Sequence, residues 1–234
     1  MTPPTPRQTF ENAARSVTES FQRAGPFPDQ EVTPPLLVEA ITQCLDITSR
    51  NGNAGTLSPE DVGKIGTHAL ECVSDLALWA HQLGLETERD AIENLAIDFA
   101  QWIAGNDGAI SVLEPVVNAL ARRANTNHTP ETLTELLHLA RELVAHADPR
   151  LANSLESANP DQPWRILNFN LAIIATRTQK PELMNTAYDL LEQNLPHECA
   201  AFYEEGVHQA QKKVYEPHVH EILRQRLAKW TTRH

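Results

Sequence analysis

The sequence predicts an all-α protein, and three observations carry the prediction. Proline, capping and glycine signals divide the chain at helix-sized intervals. No stretch of five or more residues alternates between apolar and polar side chains as a half-buried strand would. The segment Pro163–Arg177 is apolar on opposite sides at helical spacing, which is typical of a helix packed between neighbours. We therefore expect antiparallel helix pairs, packed either as a short solenoid or as a compact multi-helix bundle.

The first fifth of the chain alternates between proline-rich segments and helical patterns. Residues 1–9 are rich in proline and threonine, so we expect a disordered N-terminus before a single all-α domain over 10–234. Apolar spacing predicts helices over 10–24 and 34–49, the second opening at two prolines. The glycine- and asparagine-rich residues 50–57 predict a loop and a possible break in the domain.

The later helices each begin at a capping residue or a proline. Ser58-Pro59 is a strong start for the third helix, and Gly84 is a natural stop. Gly63 and Gly66 in that helix predict that another backbone crosses it closely. The Ser111-x-x-Glu114 pattern predicts a capping box. Helices are expected over 58–83, 88–104, 111–123, 129–147 and 163–177, with three more opening at Pro181, Pro196 and Pro217.

Composition excludes several classes of protein. The formal net charge of −12 argues against nucleic-acid binding, which requires a basic surface. The longest apolar run has only five residues, Leu171–Ala175, so no membrane span is expected, and the N-terminus predicts no signal peptide. Three scattered cysteines, Cys44, Cys72 and Cys199, predict reduced thiols in a cytoplasmic protein, with Cys199 buried and inert.

Two resemblances concern the C-terminal half. Trp164, Leu167 and Leu171 resemble the first helix of a tetratricopeptide repeat, although Lys180 departs from its small-residue position and Pro196 lies four residues beyond its usual proline. The runs QPWRILNFNLAIIATRT, ELMNTAYDLLEQNLP, FYEEGVHQAQ and YEPHVHEIL, with LEPVVNALARRAN before them, resemble a family of uncharacterised bacterial proteins over roughly 60–230. This second resemblance implies a cytoplasmic bacterial protein.

Two Glu-x-x-His pairs are the clearest candidates for metal chemistry. Glu135/His138 and Glu205/His208 have the spacing that di-iron bundle proteins use. On helical wheels both pairs lie opposite the apolar stripe, whereas di-iron ligands project inward. We therefore expect solvent-exposed pairs, no metal and no cofactor.

Charge is distributed unevenly along the chain. Residues 206–234 carry six Lys/Arg and two acidic residues, a net +4, so the remainder carries −16. The segment either packs structurally on an acidic body or offers a patch to an acidic partner or nucleic acid.

The sequence predicts a non-catalytic interaction or scaffold module. Its candidate groove lies along the 163–177 helix, where an amide and a guanidinium can hold peptide backbone and carboxylates. Asn170 and Arg177 are the leading residues, with Asn168 and Arg165 beside them, and the partner is an unidentified protein or peptide. The other interpretation of this pair is structural: Arg177 interacts with the helix dipole in the last turn, and Asn170 bonds a neighbouring loop. The alternative is a metal-dependent, di-iron-like oxidoreductase that uses the two Glu-x-x-His pairs.

Overall fold

The computed structural model describes residues 4–25, 31–50, 57–126, 129–153, 162–212 and 214–232. These residues form eleven α-helices and no strand, with one isolated parallel bridge between Ile110 and Ala147, so the all-α prediction is confirmed. None of the described helices is both long and apolar enough to span a membrane. The helices are α1 (Pro6–Ala24), α2 (Pro34–Arg50), α3 (Pro59–Gln82), α4 (Glu86–Ala104), α5 (Glu114–Thr126), α6 (Pro130–His146), α7 (Pro149–Asn153), α8 (Pro163–Thr178), α9 (Pro181–Asn194), α10 (Cys199–Lys212) and α11 (Pro217–Thr231).

Most helix starts agree with the sequence signals, because eight of the eleven described helices begin at proline. Ser58 caps α3 by accepting a hydrogen bond from the Asp61 amide at 3.1 Å. After α3, Gly84 adopts the left-handed conformation (φ 72°) that was expected of a stop.

Three boundaries differ from the prediction. Residues 6–9, expected in a disordered N-terminus, belong to α1, because Thr5 caps the helix and forms a capping box with Gln8 in its first turn. Ser111 does not cap α5; its hydroxyl instead donates to Asp148 at 3.1 Å, and the helix begins at Glu114. Pro196 opens a 3₁₀ turn, Pro196–Glu198, and α10 begins only at Cys199.

The chain divides into two compact units. Unit 1 comprises residues 1–120 and 145–148, and unit 2 comprises 121–144 and 149–234. The predicted break near 50–57 falls largely on residues outside the described ones. A single domain over 10–234 would require the two units to fold together. This stays a prediction.

The two units differ in charge. Unit 1 contains six Lys/Arg and eighteen Asp/Glu, a net −12, whereas unit 2 contains thirteen of each and is neutral. The whole excess negative charge of the protein therefore belongs to unit 1. The basic C-terminal segment is balanced by acidic residues elsewhere in unit 2.

Unit 1 is built around the packing of α3 on α4, with α2 against α3 and α1 against α4. Gly63 and Gly66 each allow another part of unit 1 to approach α3 closely, as predicted, but one faces a backbone and the other a side chain. A Cβ on Gly63 would lie 3.5 Å from the backbone oxygen of Ala109, so another backbone does cross at this point. A Cβ on Gly66 would lie only 2.3 Å from the side chain of Ile103, which is fully buried.

In unit 2, α9 packs antiparallel on α8. Asn194 donates to the Asn168 side-chain oxygen at 2.8 Å near the start of α8, and the Thr176 and Tyr188 hydroxyls hydrogen-bond at 2.7 Å near its end. Helix α10 then pairs with α11. Since both helix pairs bury large aromatic side chains, including Tyr188 and Tyr203, this half of the chain has a core of its own.

Helix α11 is held by its buried side chains Val219 and Leu223 and by an ionic cluster on α9. The Glu192 carboxylate, only 8% exposed, accepts hydrogen bonds from Arg226 at 3.0 Å and from Lys229. Burial by itself would raise the pKa of Glu192, but the hydrogen bonds from Lys229, Trp230 and Arg226 outweigh it and hold the pKa below its ordinary value. Arg226 and Lys229 therefore stabilise the packing of α11 on α9.

The substitution Gly66→Ala tests the close packing of α3 on α4. We expect a loss of about 1–3 kcal/mol of stability, because the added methyl group overpacks against buried Ile103. Gly63→Ala is the matched control: its Cβ meets only ordinary contacts, so higher helix propensity should leave stability unchanged or raise it by up to about 1 kcal/mol. Thermal melts followed by circular dichroism measure both. Equal melting temperatures for the two variants would show that the packing of α3 on α4 does not require a glycine at position 66.

The substitution Glu192→Gln tests the ionic cluster under α11. We expect a loss of about 1.5–3 kcal/mol at neutral pH, since charge-assisted hydrogen bonds are lost. Because the native pKa is lowered, the stabilisation by Glu192 is present above its ordinary pKa of about 4.3 and is lost as the pH falls through the lowered native value.

Urea unfolding between neutral pH and about pH 3 measures this effect. The difference between wild type and Glu192→Gln should shrink as the pH falls. Glu204→Gln, an exposed change on α10, is the control and should show no such difference. A difference that is constant with pH would show that the charge of Glu192 does not stabilise α11.

Candidate functional site

Helix α8 has two apolar sides, and only one of them is covered. The covered side is fully packed and consists of Trp164, Leu167, Leu171, Ile174 and Ala175. On the other side Phe169 is partly exposed, and Ile173 is 46% exposed. The expectation of a helix buried all round is therefore wrong for this second side, because an open cavity separates part of it from the neighbouring helix.

Helix α10 runs parallel to α8 and forms the opposite wall of this cavity. The Arg165 guanidinium donates to the Glu198 carboxylate at 2.9 Å, and one turn further along Phe169 stacks on Phe202 with ring centroids 5.2 Å apart. Both contacts join residues 33 positions apart. The two helices therefore start at the same end and keep the same register.

The cavity between these helices has a volume of about 470 Å³, within the range of ligand sites. We call it the α8–α10 groove. It follows thirteen residues of each segment, from Arg165 to Arg177 on α8 and from Glu198, at the end of the 3₁₀ turn, to Ala210 on α10, which is roughly 18 Å of helix. Its lining comprises Arg165, Phe169, Ile173, Thr176, Arg177, Glu198, Ala201, Phe202, Glu205, Gly206, Gln209, Ala210, Tyr215 and Leu223.

The floor of the groove is apolar and aromatic. Phe169 and Phe202 form its first part, and the Arg165 guanidinium lies over the Phe169 ring at 4.6 Å. Ile173 continues the floor beyond them. Such a surface favours apolar side chains, because covering it removes apolar area from water.

The far end of the groove is more polar. The Arg177 guanidinium donates to the Ala124 carbonyl at 2.5 Å, and its side chain also lines the groove. Tyr215 lies there too: burial raises the pKa of its hydroxyl, and the positive charge of Arg177 partly opposes that increase. The positive charge of Arg177 therefore affects Tyr215, which lines the groove, while its guanidinium also binds the Ala124 carbonyl outside the lining.

The four residues predicted from sequence divide into two groups. Arg165 and Arg177 line the groove. Asn168 does not; it is fully buried, donates to the Trp164 carbonyl at 2.9 Å and accepts from Asn194. Asn170 does not line the groove either, and its side-chain nitrogen is buried without a hydrogen bond among the described residues.

The apolar floor and the whole α10 wall of the groove are not predicted from the sequence. Phe169 and Ile173 were visible as the second apolar side of the central helix, but that pattern alone does not distinguish a covered side from an open one. The spacing of 33 residues that joins Phe169 to Phe202 was the available signal, since it places equivalent positions of two helices side by side.

The residues considered for metal or nucleophilic chemistry are either exposed or buried and unreactive, and of the two Glu-x-x-His pairs only Glu205 lines the groove. Glu135, His138, Glu205 and His208 are all exposed, as predicted, so neither Glu-x-x-His pair projects into a core. Within the described residues no three His, Cys, Asp or Glu side chains are grouped to hold a metal ion. Cys199 is fully buried, as predicted, and burial raises the pKa of its thiol to about 12, which keeps it protonated.

Unit 1 contains a second cavity of about 360 Å³ with a different lining. Its walls carry charged residues of both signs, including Arg89 and the buried Glu93, beside the exposed Leu78. Arg89 is already paired with Asp90 at 2.8 Å and with Glu86. This cavity therefore lacks the continuous apolar floor of the α8–α10 groove.

Comparison of the chain with protein-family models, with curated proteins and with solved structures found no match.

Proposed function

We propose that this protein is a non-catalytic interaction module that binds an apolar segment of a partner protein in the α8–α10 groove. The observation that carries the proposal is the open apolar floor. Ile173 remains 46% exposed beside the stacked Phe169 and Phe202 rings, within a concave site of about 470 Å³. Covering such a surface is the usual source of binding energy at a protein interface.

The helix arrangement supports this role. Helices α8 and α9 form one antiparallel pair, α10 and α11 form the next, and the first helices of the two pairs run parallel and line the groove. Successive helix pairs that present a concave surface are typical of helical-repeat proteins, which act mainly in binding. The proposal therefore includes a short, tetratricopeptide-like solenoid for unit 2.

The acidities of buried groups support the non-catalytic part of the proposal. Burial raises the pKa of the Tyr188 and Tyr203 hydroxyls above the ordinary value, and it raises the pKa of the Cys72 thiol to about 11. An activated nucleophile needs the opposite shift. The three free, buried cysteines also agree with the cytoplasmic location that we include in the proposal.

A peptide library tests the proposed binding. Phage-displayed random peptides of about 12 residues, enough for roughly 18 Å of helix, would be selected on the full chain. We expect binders rich in Leu, Ile and Phe whose affinity falls at least about tenfold for Ile173→Glu, because the carboxylate must be desolvated against the floor. Ile173 is partly exposed, so this variant should fold, and circular dichroism checks that it does.

Leu36→Glu is the matched control, since Leu36 is also an exposed apolar residue (56%) and lies on α2 of unit 1. It should leave the affinity of the selected peptides unchanged. The proposal fails if no library peptide binds, or if the selected peptides bind Ile173→Glu as tightly as wild type.

A further inference from the structure

The two rims of the α8–α10 groove carry opposite charges. Arg165 and Arg177 lie on the α8 rim, whereas Glu198 and Glu205 lie on the α10 rim, with the apolar floor between them. The lining as a whole is therefore neutral but polarised across its width. An occupant that matches it needs an apolar centre with an acidic group on one flank and a basic group on the other.

One arginine and one glutamate of the two rims already form an ion pair across the groove, whereas the other arginine and glutamate do not pair with each other. At the start of the groove the Arg165–Glu198 ion pair joins the two rims at 2.9 Å. Further along, no ion pair joins Arg177 to Glu205 in the described part of the chain. Glu205 is exposed and interacts with its own helix, accepting from Gln209 at 2.5 Å and lying 3.8 Å from His208. Its negative charge is therefore accessible to a ligand in the groove.

The floor also indicates the backbone conformation of the occupant. An extended peptide needs hydrogen-bond partners for its backbone N–H and C=O groups, and leaving them against an apolar surface is costly. Thr176 is one of the few polar groups near the floor, but its hydroxyl already bonds the Ala172 carbonyl at 2.8 Å and Tyr188 at 2.7 Å. An α-helix satisfies its own backbone and can place side chains on both flanks of an apolar stripe.

Building on the proposed function, we propose that the occupant is an amphipathic α-helix of a partner protein. It spans about three turns, the roughly 18 Å over which α8 and α10 line the groove. Its apolar stripe covers Phe169, Ile173 and Phe202. A basic side chain on one flank faces Glu205, and an acidic side chain on the other flank faces the α8 rim. This pattern fixes the direction in which the helix lies, because reversing the helix exchanges its flanks.

Two designed, fluorescently labelled peptides of about 14 residues test this inference. Both carry leucines at helical i, i+3, i+4 and i+7 spacing. In the mixed peptide the stripe has Glu on one flank and Lys on the other, and in the acidic peptide it has Glu on both. Fluorescence anisotropy at low ionic strength measures their affinities, since salt weakens exposed charge pairs.

We expect wild type to prefer the mixed peptide, and Glu205→Lys to reverse that order. Each change in preference should be about three- to tenfold, the scale of exposed ion pairs and of like-charge contacts. The neighbouring Glu204→Lys is the control: Glu204 is also exposed on α10 but does not line the groove, so this variant should keep the wild-type order.

Several outcomes overturn the inference, and they differ in what they mean for the proposed function. If Glu205→Lys leaves the order unchanged while Ile173→Glu abolishes peptide binding, the groove binds apolar segments without the proposed charge pattern. If a proline in the middle of the mixed peptide leaves its affinity unchanged, the occupant is not helical. If sedimentation shows a wild-type dimer that Ile173→Glu dissociates, and neither peptide binds, the occupant is a second copy of the chain.

Discussion

Helix α8 has two apolar sides, and the described part of the chain buries only one of them. The structure of unit 2 depends on this difference between the two sides. The first side is packed without residual exposure around Leu167 and Leu171. The second side, with Phe169 and Ile173, meets the parallel helix α10 at its edge, and Ile173 stays 46% exposed. A helix that is apolar all round needs cover on every side to minimise its contact with water. The uncovered side is therefore where we propose that a partner binds.

Helix positions could be predicted from the sequence because they depend on local chemistry. Prolines and Ser58 begin helices, Gly84 ends one, and no strand pattern competes with them. The start of α5 could not be predicted, because Ser111 bonds Asp148, which is 37 residues away. Local patterns give the capping potential of a residue, whereas the folded chain determines which partner the side chain meets.

The candidate site was harder to predict for a similar reason. Its two arginines could be identified, because cations on an apolar helix are conspicuous in a sequence. The two asparagines were misleading candidates: an amide suits peptide binding, but Asn168 equally suits the buried α8–α9 contact that it makes with Asn194. Distinguishing the two roles requires the position of α9. The acidic rim could not be foreseen either, since only the pairing of α10 with α8 places Glu198 and Glu205 opposite the arginines.

The groove walls are held by contacts that do not involve the floor. Asn168 with Asn194 and Thr176 with Tyr188 fix α9 on α8, and the Glu192 cluster fixes α11, whose Leu223 closes the groove near Gly206. Because these contacts lie within the protein, the helix that we propose as the occupant would have to order few side chains of the protein. Binding to a preorganised site loses less conformational entropy. The fold thus holds the groove walls by internal contacts while Ile173 stays exposed, which agrees with the interaction module that we propose.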